Sequence, residues 1–489
     1  MNQPEFTLGI VGGGLAGLAA AWQLKQTLPA ARIVLFEKND RLGGVLRTEQ
    51  VGGYLIDHSA DMFTTEPPTA WQLCQQLNRT ADVIETTPVP QRAYVATASG
   101  IVPVPAGFSL MLPYDTEAVV RSGLLDDDGA ERFLQEQEIP AKLDAEDESL
   151  ESFAVRRFGR QVFDRLIQPL VSGIYTADPA RLSMQATMAR FVALEKEHAS
   201  LIRAAAVQTR RKLNDHRQNP LAFADQAASG ARYDLFRAPR QGMGQLVDWI
   251  VDALQQQGVV IRTGVAISAM QQTGRTWRLK TRRETLPENY DGLILANSSC
   301  AAARLLRPGH ASLANELDEI RAANCAIVIL GMEQSQFLQP FEGYGIVVPA
   351  YLNHQLIAVS AASNKFPGRA PAGKILLRCF LGGALHPEAV DFSDEQLIET
   401  ARTELQCWLP HRGSPELARV FRWRETMPQY HVGHLDRVSQ IDREIKQISG
   451  LELAGNSYQG VGIPVCIDSG KTAANKLAKE LANHVSNRC

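Results

Sequence analysis

Two short apolar runs near the N-terminus frame a stretch with helical spacing. Residues 6–11 and 32–37 are continuous and mostly apolar, as buried strands are. Between them, apolar residues recur from Leu18 to Leu24 at the spacing of one helical face. The N-terminus is therefore predicted to form a strand–helix–strand unit.

The pattern changes twice further along the chain. Residues 93–96 and 101–104 predict the two strands of a hairpin. From about 108 to 217 the spacing of apolar residues becomes helical. Within this region Ser149 is placed to cap one helix, and Pro169 is expected to end or kink another.

Strand and helix patterns alternate again in the C-terminal half. Short apolar runs at 259–261 and 293–295 predict buried strands, and residues 325–383 alternate between strands and turns. A strand at 451–454 is followed by a glycine-rich turn and by a helix from about Cys466. The pattern as a whole predicts an α/β fold.

Composition and charge narrow the classes of function. The chain has 489 residues, enough for two to four domains at about 100–200 residues each. Hydrophobic residues make up 45% and charged residues 21%, as in ordinary globular proteins. A formal net charge of −3 offers no polyanion-binding surface, so nucleic acid is not expected as a partner.

Targeting and metal-binding signals are weak. The N-terminus lacks a basic segment followed by a long apolar run, and no stretch of about 18 apolar residues occurs. We therefore expect a cytoplasmic protein without a spanning helix; peripheral contact with the inner face of the cell membrane would leave no such run. The seven cysteines are scattered without a C-x-x-C pair, which predicts buried reduced thiols and no metal site.

A glycine motif, Gly12-x-Gly14-x-x-Gly17, lies between the first strand and the helix. Its glycines permit a tight turn, a close approach of pyrophosphate to the backbone, and close packing of helix on strand. The phosphates would lie at the helix N-terminus, where free N–H groups favour negative charge. Glu37, 20 residues beyond Gly17, can accept both ribose hydroxyls. The alternative is a plain glycine-rich turn, but the acidic residue in register favours a nucleotide.

Two further glycine segments favour FAD over NAD. The Arg41–Gly44 segment follows the ribose carboxylate and can turn back along an extended cofactor, which NAD domains do not usually show. Near the C-terminus, Gly455 ends a strand, and Gly460–Ile463 precedes a helix whose N-terminus can stabilise negative charge on a reduced flavin. The alternative for this segment is a plain strand–turn–helix. Its pairing with the N-terminal unit favours a flavin site built from both chain ends.

Four stretches of the chain resemble one family. They are GGGLAGLAA with EKNDRLGG near the N-terminus, residues 147–184, FPGRAP (366–371) with FLGG (380–383), and LAGNSYQGVGIPVCIDSGKTAA (453–474). Together they resemble protoporphyrinogen oxidase, in the group shared with bacterial coproporphyrinogen III oxidase. The first stretch is shared with amine oxidases and carotenoid desaturases, whereas the second and fourth are more specific. The resemblance covers nearly the whole chain.

The resemblance implies three intertwined parts: a Rossmann-like FAD-binding domain, a mixed-sheet substrate domain and an inserted helical domain that docks on membranes. Mapped onto this sequence, these parts take 1–90, 235–300 and 445–489 for FAD, 91–107 and 301–444 for substrate, and 108–217 for the helical domain. The order agrees with the pattern of apolar residues above.

The resemblance also implies a set of flavin contacts. They fall on Gly12, Gly13, Gly14, Leu15, Ala16, Gly17, Glu37, Gly44, Val45, Ser59, Ala60, Asp61, Met62, Val265, Asn456, Val461, Gly462 and Ile463. One departure occurs at Ser59-Ala60, where family members often have Gly-Pro. A serine has less backbone freedom than glycine, so the contact at this position is expected to shift.

The implied reaction removes hydrogens from a porphyrinogen to give the aromatic porphyrin, with oxygen as acceptor and hydrogen peroxide as product. The flavin supplies the electron sink, so no catalytic side chain is expected. Arg92 matches a propionate-binding arginine, Gly173 a glycine of the substrate pocket, and Val347 and Phe380 apolar residues that sandwich the rings. For each, ordinary surface or core packing is the alternative.

Several alternatives stay open at this point. The basic run Arg203, Arg210, Arg211, Lys212 and Arg217 meets either anionic lipid, the extra propionates of coproporphyrinogen, or only solvent. An amine oxidase or a carotenoid desaturase would use the same scaffold, and a flavin-bound porphyrin carrier would not be an enzyme. The choice between protoporphyrinogen and coproporphyrinogen is open, as is handover of the product to a chelatase.

Overall fold

The computed structural model describes residues 6–87, 92–218 and 233–486, and within 212–218 and 485–486 it describes the backbone alone. Its strands are β1 (Thr7–Val11), β2 (Arg32–Phe36), β3 (Thr48–Val51), β4 (Tyr54–Asp57), β5 (Phe63–Thr64), β6 (Val83–Glu85), β7 (Ala93–Thr97), β8 (Gly100–Pro103), β9 (Phe108–Ser109), β10 (Leu112–Pro113), β11 (Phe236–Pro239), β12 (Val260–Arg262), β13 (Ala269–Thr273), β14 (Thr276–Lys280), β15 (Thr285–Tyr290), β16 (Gly292–Leu295), β17 (Ala322–Glu333), β18 (Gly345–Val347), β19 (Leu356–Ala361), β20 (Lys374–Gly382), β21 (Leu417–Pro428) and β22 (Leu451–Leu453).

The helices of the described residues lie mainly between these strands. They are α1 (Leu15–Thr27), α2 (Thr69–Gln76), α3 (Thr116–Val120), α4 (Asp127–Leu134), α5 (Leu150–Phe158), α6 (Arg160–Val162), α7 (Gln168–Tyr175), α8 (Met184–His198), α9 (Leu201–Gln218), α10 (Gly244–Gln256), α11 (Ser299–Leu306), α12 (Ala311–Asp318), α13 (Ala362–Lys365), α14 (Asp394–Leu405), α15 (His434–Ile445) and α16 (Ile463–Ser486). The predicted α/β class is therefore confirmed.

A parallel sheet joins both ends of the chain in the order β12-β2-β1-β16-β22. Its strands are buried on both faces: Ile10 and Leu35 pack into one core, whereas Val34 and Phe36 pack into another. Burial on both faces explains why these strands appear in the sequence as continuous apolar runs. The strands predicted near both termini lie in this one sheet.

A second, larger sheet has the order β21-β17-β20-β19-β18-β7-β8. Strands β18 and β7 run parallel and the other neighbours run antiparallel. The predicted hairpin at 93–104 forms β7 and β8 at one edge of this sheet. The sheet draws on residues 93–103 and 322–428. The domain boundaries given above stay a prediction.

Helices α1 and α16 pack side by side in the same direction. A Cβ built on Gly470 would lie 2.1 Å from the carbonyl oxygen of Ala16, so only glycine permits this approach. Further along the same pair of helices, Gln23 donates to Asn475. Both N-termini therefore lie at the same end, beside the carboxyl edge of the parallel sheet.

The region 108–217 is mainly helical around its own buried core. Ser149 caps α5 by accepting a hydrogen bond from the Ser152 N–H, as predicted. Of the two outcomes expected for Pro169, an end to the helix does not occur, because the chain stays helical from Arg160 to Tyr175, although its regular geometry is interrupted before Pro169. A wide π turn at 163–167 precedes α7, and Pro169 lies in the first turn of α7, where its missing N–H costs little.

Two other features bear on the predictions from sequence. Cys74, Cys325 and Cys379 are buried free thiols, but Cys300 and Cys407 are exposed, so the prediction of burial is wrong for these two. Cys300 lies in the first turn of α11 and Cys407 follows α14. The spacing of apolar residues around these two cysteines did not show that they face solvent. In the part of the chain that the structure describes, no helix has the length and apolarity needed to cross a membrane.

Candidate flavin site

The glycine turn between β1 and α1 is closely packed against its surroundings. Gly12 has a φ of +118°, and a Cβ there would lie 2.4 Å from the carbonyl oxygen of Ala296. A Cβ on Gly17 would lie 1.9 Å from the carbonyl oxygen of Gly12. These two glycines therefore hold the turn and the helix against the sheet.

Gly14 differs from its neighbours because a Cβ built on it would meet no described atom within 4 Å. It is the N-cap residue of α1, and no side chain caps this helix. Leu15, Ala16 and Gly17, which begin α1, are buried. A buried helix start without a side-chain cap is a fit for phosphate oxygens, because the first N–H groups of a helix have no partner within it.

Glu37 lies beside this turn at the end of β2. Its carboxylate accepts hydrogen bonds from the Gly13 N–H at 2.8 Å and from the backbone and side chain of Asn39 at 2.9 and 2.7 Å. Its carbonyl accepts from the Val265 N–H at 2.8 Å. A carboxylate has about four acceptor positions, so roughly one stays available to a ribose hydroxyl rather than the two predicted.

A second loop meets the glycine turn and leads away from it. The Gly43 N–H donates to the carbonyl of Gly13 at 2.8 Å, and Gly44 and the exposed Val45 follow. The Ser59 hydroxyl then donates to the carbonyl of Val45 at 2.7 Å. This contact places Ser59 beside the loop that meets the glycine turn. We call the surface formed by the glycine turn, residues 43–45 and residues 59–62 the flavin groove.

The C-terminal turn completes the groove from the other end of the chain. The Gly455 N–H donates to the Ser469 hydroxyl at 3.0 Å, which fixes the turn onto α16. Val461 packs against the core of the helical region, and Ile463 packs against the core that contains α1. The structure thus brings the predicted contacts from both chain ends together, although they are far apart in sequence.

Tyr430 holds this turn and was missed by the sequence analysis, because nothing in its local pattern marks it. It is buried, and its hydroxyl donates to the carbonyl of Asn456, whose side chain donates to Thr426 at 3.2 Å. His434 stacks on Tyr430 at 4.3 Å and bonds the carbonyl of Tyr458 at 3.0 Å through Nε2. Burial lowers the pKa of His434, so the ring is neutral at pH 7 and donates this bond.

Removing the Tyr430 hydroxyl is expected to loosen the turn. Tyr430→Phe leaves the carbonyl of Asn456 without its donor, which should cost about 1–2 kcal/mol of unfolding free energy and speed FAD release. Thermal melts and FAD dissociation rates measure both effects. Tyr458→Phe is the matched control, because that buried hydroxyl has no partner among the described residues. Equal losses in the two variants would contradict the assigned role of Tyr430.

The predicted substrate residues fall along one row of the larger sheet, with one exception. Val347 pairs with Ala358, and Ala358 pairs with Phe380, so their side chains share a face. Gly173 of α7 lies over this row: a Cβ on it would be 3.9 Å from Val347 and 4.0 Å from Ala358. Arg92 is exposed just before β7, and no described contact joins its side chain to the row.

A buried ion cluster stands next to this row, and two of its three members were missed. Asp61 contacts Lys365 at 2.6 Å and Arg378 at 2.8 Å, and all three are buried. Burial opposes the charged form of Asp61, but the two cations outweigh it and hold its pKa well below the usual range. Arg378 was detectable as the lone charge in the apolar run 375–381, whereas Lys365 carried no such signal.

Comparisons with known proteins agree with this geometry. Residues 15–478 match the family described as flavin containing amine oxidoreductase. The chain is 30% identical to coproporphyrinogen III oxidase of Bacillus subtilis (strain 168), over 95% of this chain and 96% of that protein. It is 26% identical to protoporphyrinogen oxidase 2, chloroplastic/mitochondrial, of Arabidopsis thaliana, over 96% and 94% of the two chains.

A solved structure agrees as well. The structure of a provisionally named protoporphyrinogen oxidase from Exiguobacterium sp. 255-15 superposes with a TM-score of 0.83 at 26% identity, over 98% of this chain and 100% of that chain. The predicted resemblance and the predicted FAD cofactor are confirmed by these matches, and the uncapped start of α1, Glu37 and the two-ended groove fit that cofactor. The chain is a flavin oxidoreductase that belongs to the flavin-containing amine oxidoreductase family.

Proposed function

We propose that this protein oxidises a porphyrinogen, either coproporphyrinogen III or protoporphyrinogen IX, to the corresponding porphyrin. The observation that carries the proposal is the apolar row Val347–Ala358–Phe380 beneath Gly173. Arg378, two residues before Phe380 on β20, donates to the carbonyl of Ser59, so the row lies near the predicted flavin contacts of residues 59–62. Relatives that match nearly the whole chain bear the names of these two oxidases, which supports the same substrate class.

In this proposal the chain positions the substrate and does not act as an acid or base. When bound, FAD supplies the electron sink for hydride removal from a methylene bridge, and oxygen is the final acceptor. Phe380 and Val347 pack against the macrocycle, and Gly173 leaves room for its edge. Arg92 binds a propionate from the exposed start of β7, where a guanidinium can reach a carboxylate in bidentate fashion.

Turnover under air tests the proposal directly. The FAD-loaded protein is mixed with each porphyrinogen, and porphyrin fluorescence is followed against a protein-free control that measures autoxidation. Specificity constants for the two porphyrinogens decide which one is preferred. A rate no higher than autoxidation, together with turnover of an amine, would favour the amine oxidase alternative. Substrate binding without bleaching of the flavin would favour a carrier.

Filling the space at Gly173 is expected to block the substrate and spare the flavin. Gly173→Leu should lower kcat/KM by roughly 30-fold or more, because a branched side chain occupies the space beside Val347 and Ala358. Gly173→Ala is the matched control, since its Cβ would make ordinary contacts of 3.9 Å or more and alanine favours a helix. Steady-state kinetics and FAD content check both variants. Wild-type kcat/KM in Gly173→Leu would remove Gly173 from the substrate pocket.

The remaining partners belong to the same proposal. Peripheral membrane contact is supported by exposed apolar side chains on the helical region, where Leu134, Leu143 and Ile174 are 45%, 79% and 45% exposed. The basic run on α9 agrees with it, since Arg203, Arg210 and Arg211 are exposed. The side chains of Lys212 and Arg217 lie outside the described residues. The proposal also places the protein at the inner face of the cytoplasmic membrane. A chelatase would take up the product.

A further inference from the structure

The buried ions Asp61, Lys365 and Arg378 form what we call the inner ion cluster. One carboxylate faces two cations, at 2.6 Å from Lys365 and 2.8 Å from Arg378. The side chains of the two cations are 7% and 2% exposed, so water screens them little. A buried pair usually balances its charges, whereas here two basic side chains face one carboxylate. Burial lowers the pKa of Lys365, and the charge of Asp61 opposes that shift.

A second buried pair next to the cluster does not remove the excess. Arg369 is buried and donates to the carbonyls of Pro239 and Arg240, and the nearby carboxyls of Asp57 and Asp61 oppose the effect of its burial. Burial raises the pKa of Asp57, and the N–H of Met243 and the hydroxyl of Thr48 hold it in place. Arg369 and Asp57 add one basic group and one carboxyl, so they do not offset the second basic side chain of the inner ion cluster.

The cluster touches the segment predicted to contact the flavin. Arg378 donates to the carbonyl of Ser59, and Asp61 is itself a predicted contact. From Ser59 the contacts run back through Val45 to the loop beside the phosphate-binding turn. An extended cofactor that begins at this turn would place its ring system at the cluster end of the groove.

Two buried donors at this end have no hydrogen-bond partner among the described residues. One is Nε of Arg378 and the other is the hydroxyl of Ser360. The two residues are opposite each other on β20 and β19, so the donors share one face of the sheet. Buried donors without a partner mark a place where a ligand acceptor is expected.

We propose that the inner ion cluster holds a net positive charge against the flavin ring and stabilises negative charge on the reduced ring. This rests on the proposed flavin contact of residues 59–62. Asp61 contacts both basic side chains, and its single carboxylate balances only one of them. In a site with little water, such a charge acts more strongly than it would in solution. The cluster is therefore a tuning device for the ease of flavin reduction.

Sulfite affinity of the FAD-loaded protein tests this without any porphyrinogen. Sulfite adds to oxidised flavin and leaves negative charge on the ring, so a nearby cation tightens its binding. Lys365→Met should weaken sulfite binding roughly tenfold, and Lys365→Arg should keep it within about twofold of wild type. Lys374→Met is the matched control, because Lys374, the first residue of β20, pairs with Glu416 near the surface and is not part of the inner ion cluster.

Asp61→Asn distinguishes tuning from support. It removes the negative charge and leaves the two basic side chains, so sulfite binding at pH 6 should become tighter. The flavin should also become easier to reduce, which a titration with redox dyes measures. If the cluster only supported the fold, sulfite binding would weaken in every variant. Weaker sulfite binding in both Asp61→Asn and Lys365→Met would therefore overturn the proposal, and so would unchanged binding in both. If Lys365→Met loses FAD, the comparison of Lys365→Arg with Asp61→Asn decides. An enzyme inactive on porphyrinogens would still give these sulfite results, so the two proposals fail separately.

Discussion

Gly14→Val is expected to lose FAD while its apoprotein stays as stable as the wild-type apoprotein. Gly14 has an ordinary φ of −73°, and a Cβ there meets no described atom within 4 Å, so the folded chain accepts the side chain. The space that the side chain enters is the predicted pyrophosphate site. We expect affinity for FAD to fall roughly 100-fold, with the apoprotein's unfolding free energy changed by no more than about 0.5 kcal/mol.

Gly17→Ala gives the opposite result at the same motif and serves as its comparison. A Cβ there would lie 1.9 Å from the carbonyl oxygen of Gly12, so helix α1 must move away from the sheet. The unfolding free energy should fall by roughly 3 kcal/mol even without cofactor. Apoprotein melts and FAD titration separate the two variants. A Gly14→Val protein purified with stoichiometric FAD would refute the phosphate role of this position.

Arg157→Met is expected to destabilise the helical region by about 3–5 kcal/mol, as removal of one partner from a buried ion pair does. Arg157 is fully buried and donates from Nε to Glu136 at 2.8 Å and from Nη1 to the carbonyl of Ile139 at 2.9 Å. It also contacts Glu195 at 3.3 Å. Without the guanidinium, the fully buried Glu136 carboxylate loses its counterion.

Two comparisons make this expectation specific. Arg121→Met removes an exposed helical pair with Glu117 and should change stability by no more than about 0.5 kcal/mol. Adding Glu136→Gln to Arg157→Met should recover part of the loss, because no unpaired charge is then buried. Thermal melts and limited proteolysis of the helical region measure these effects. A loss in the double variant equal to the sum of the two single losses would show that the pair is not coupled.

Several predictions from sequence hold because their cause is local. The turn at Gly12 needs a positive φ, and the close packing at Gly17 needs the absence of a Cβ, so the residue types themselves mark the site. Glu37 follows at the end of the next strand, where the backbone of the same unit positions it. Runs of apolar residues likewise identified the strands of the parallel sheet, because both faces of that sheet are buried.

Other predictions went wrong where a neighbouring element decides the outcome. Pro169 does not end its helix: a π turn at 163–167 comes directly before α7, and Pro169 lies in the first turn of α7. Cys300, in the first turn of α11, and Cys407, in the turn after α14, are exposed, so their positions relative to neighbouring elements decided their burial. Arg92, placed by resemblance in the substrate pocket, is exposed at a strand start, and its role stays a prediction.

By itself, the sequence determined that an α/β chain places a dinucleotide-binding turn near its N-terminus and a second glycine turn near its C-terminus, because glycine motifs and apolar periodicity act over a few neighbouring residues. Only the tertiary structure decided what surrounds the flavin groove. Lys365 and Asp61 are 304 residues apart, and Arg378 and Ser59 are 319 residues apart. Such contacts depend on how separate elements pack, so the type of either residue does not identify its partner.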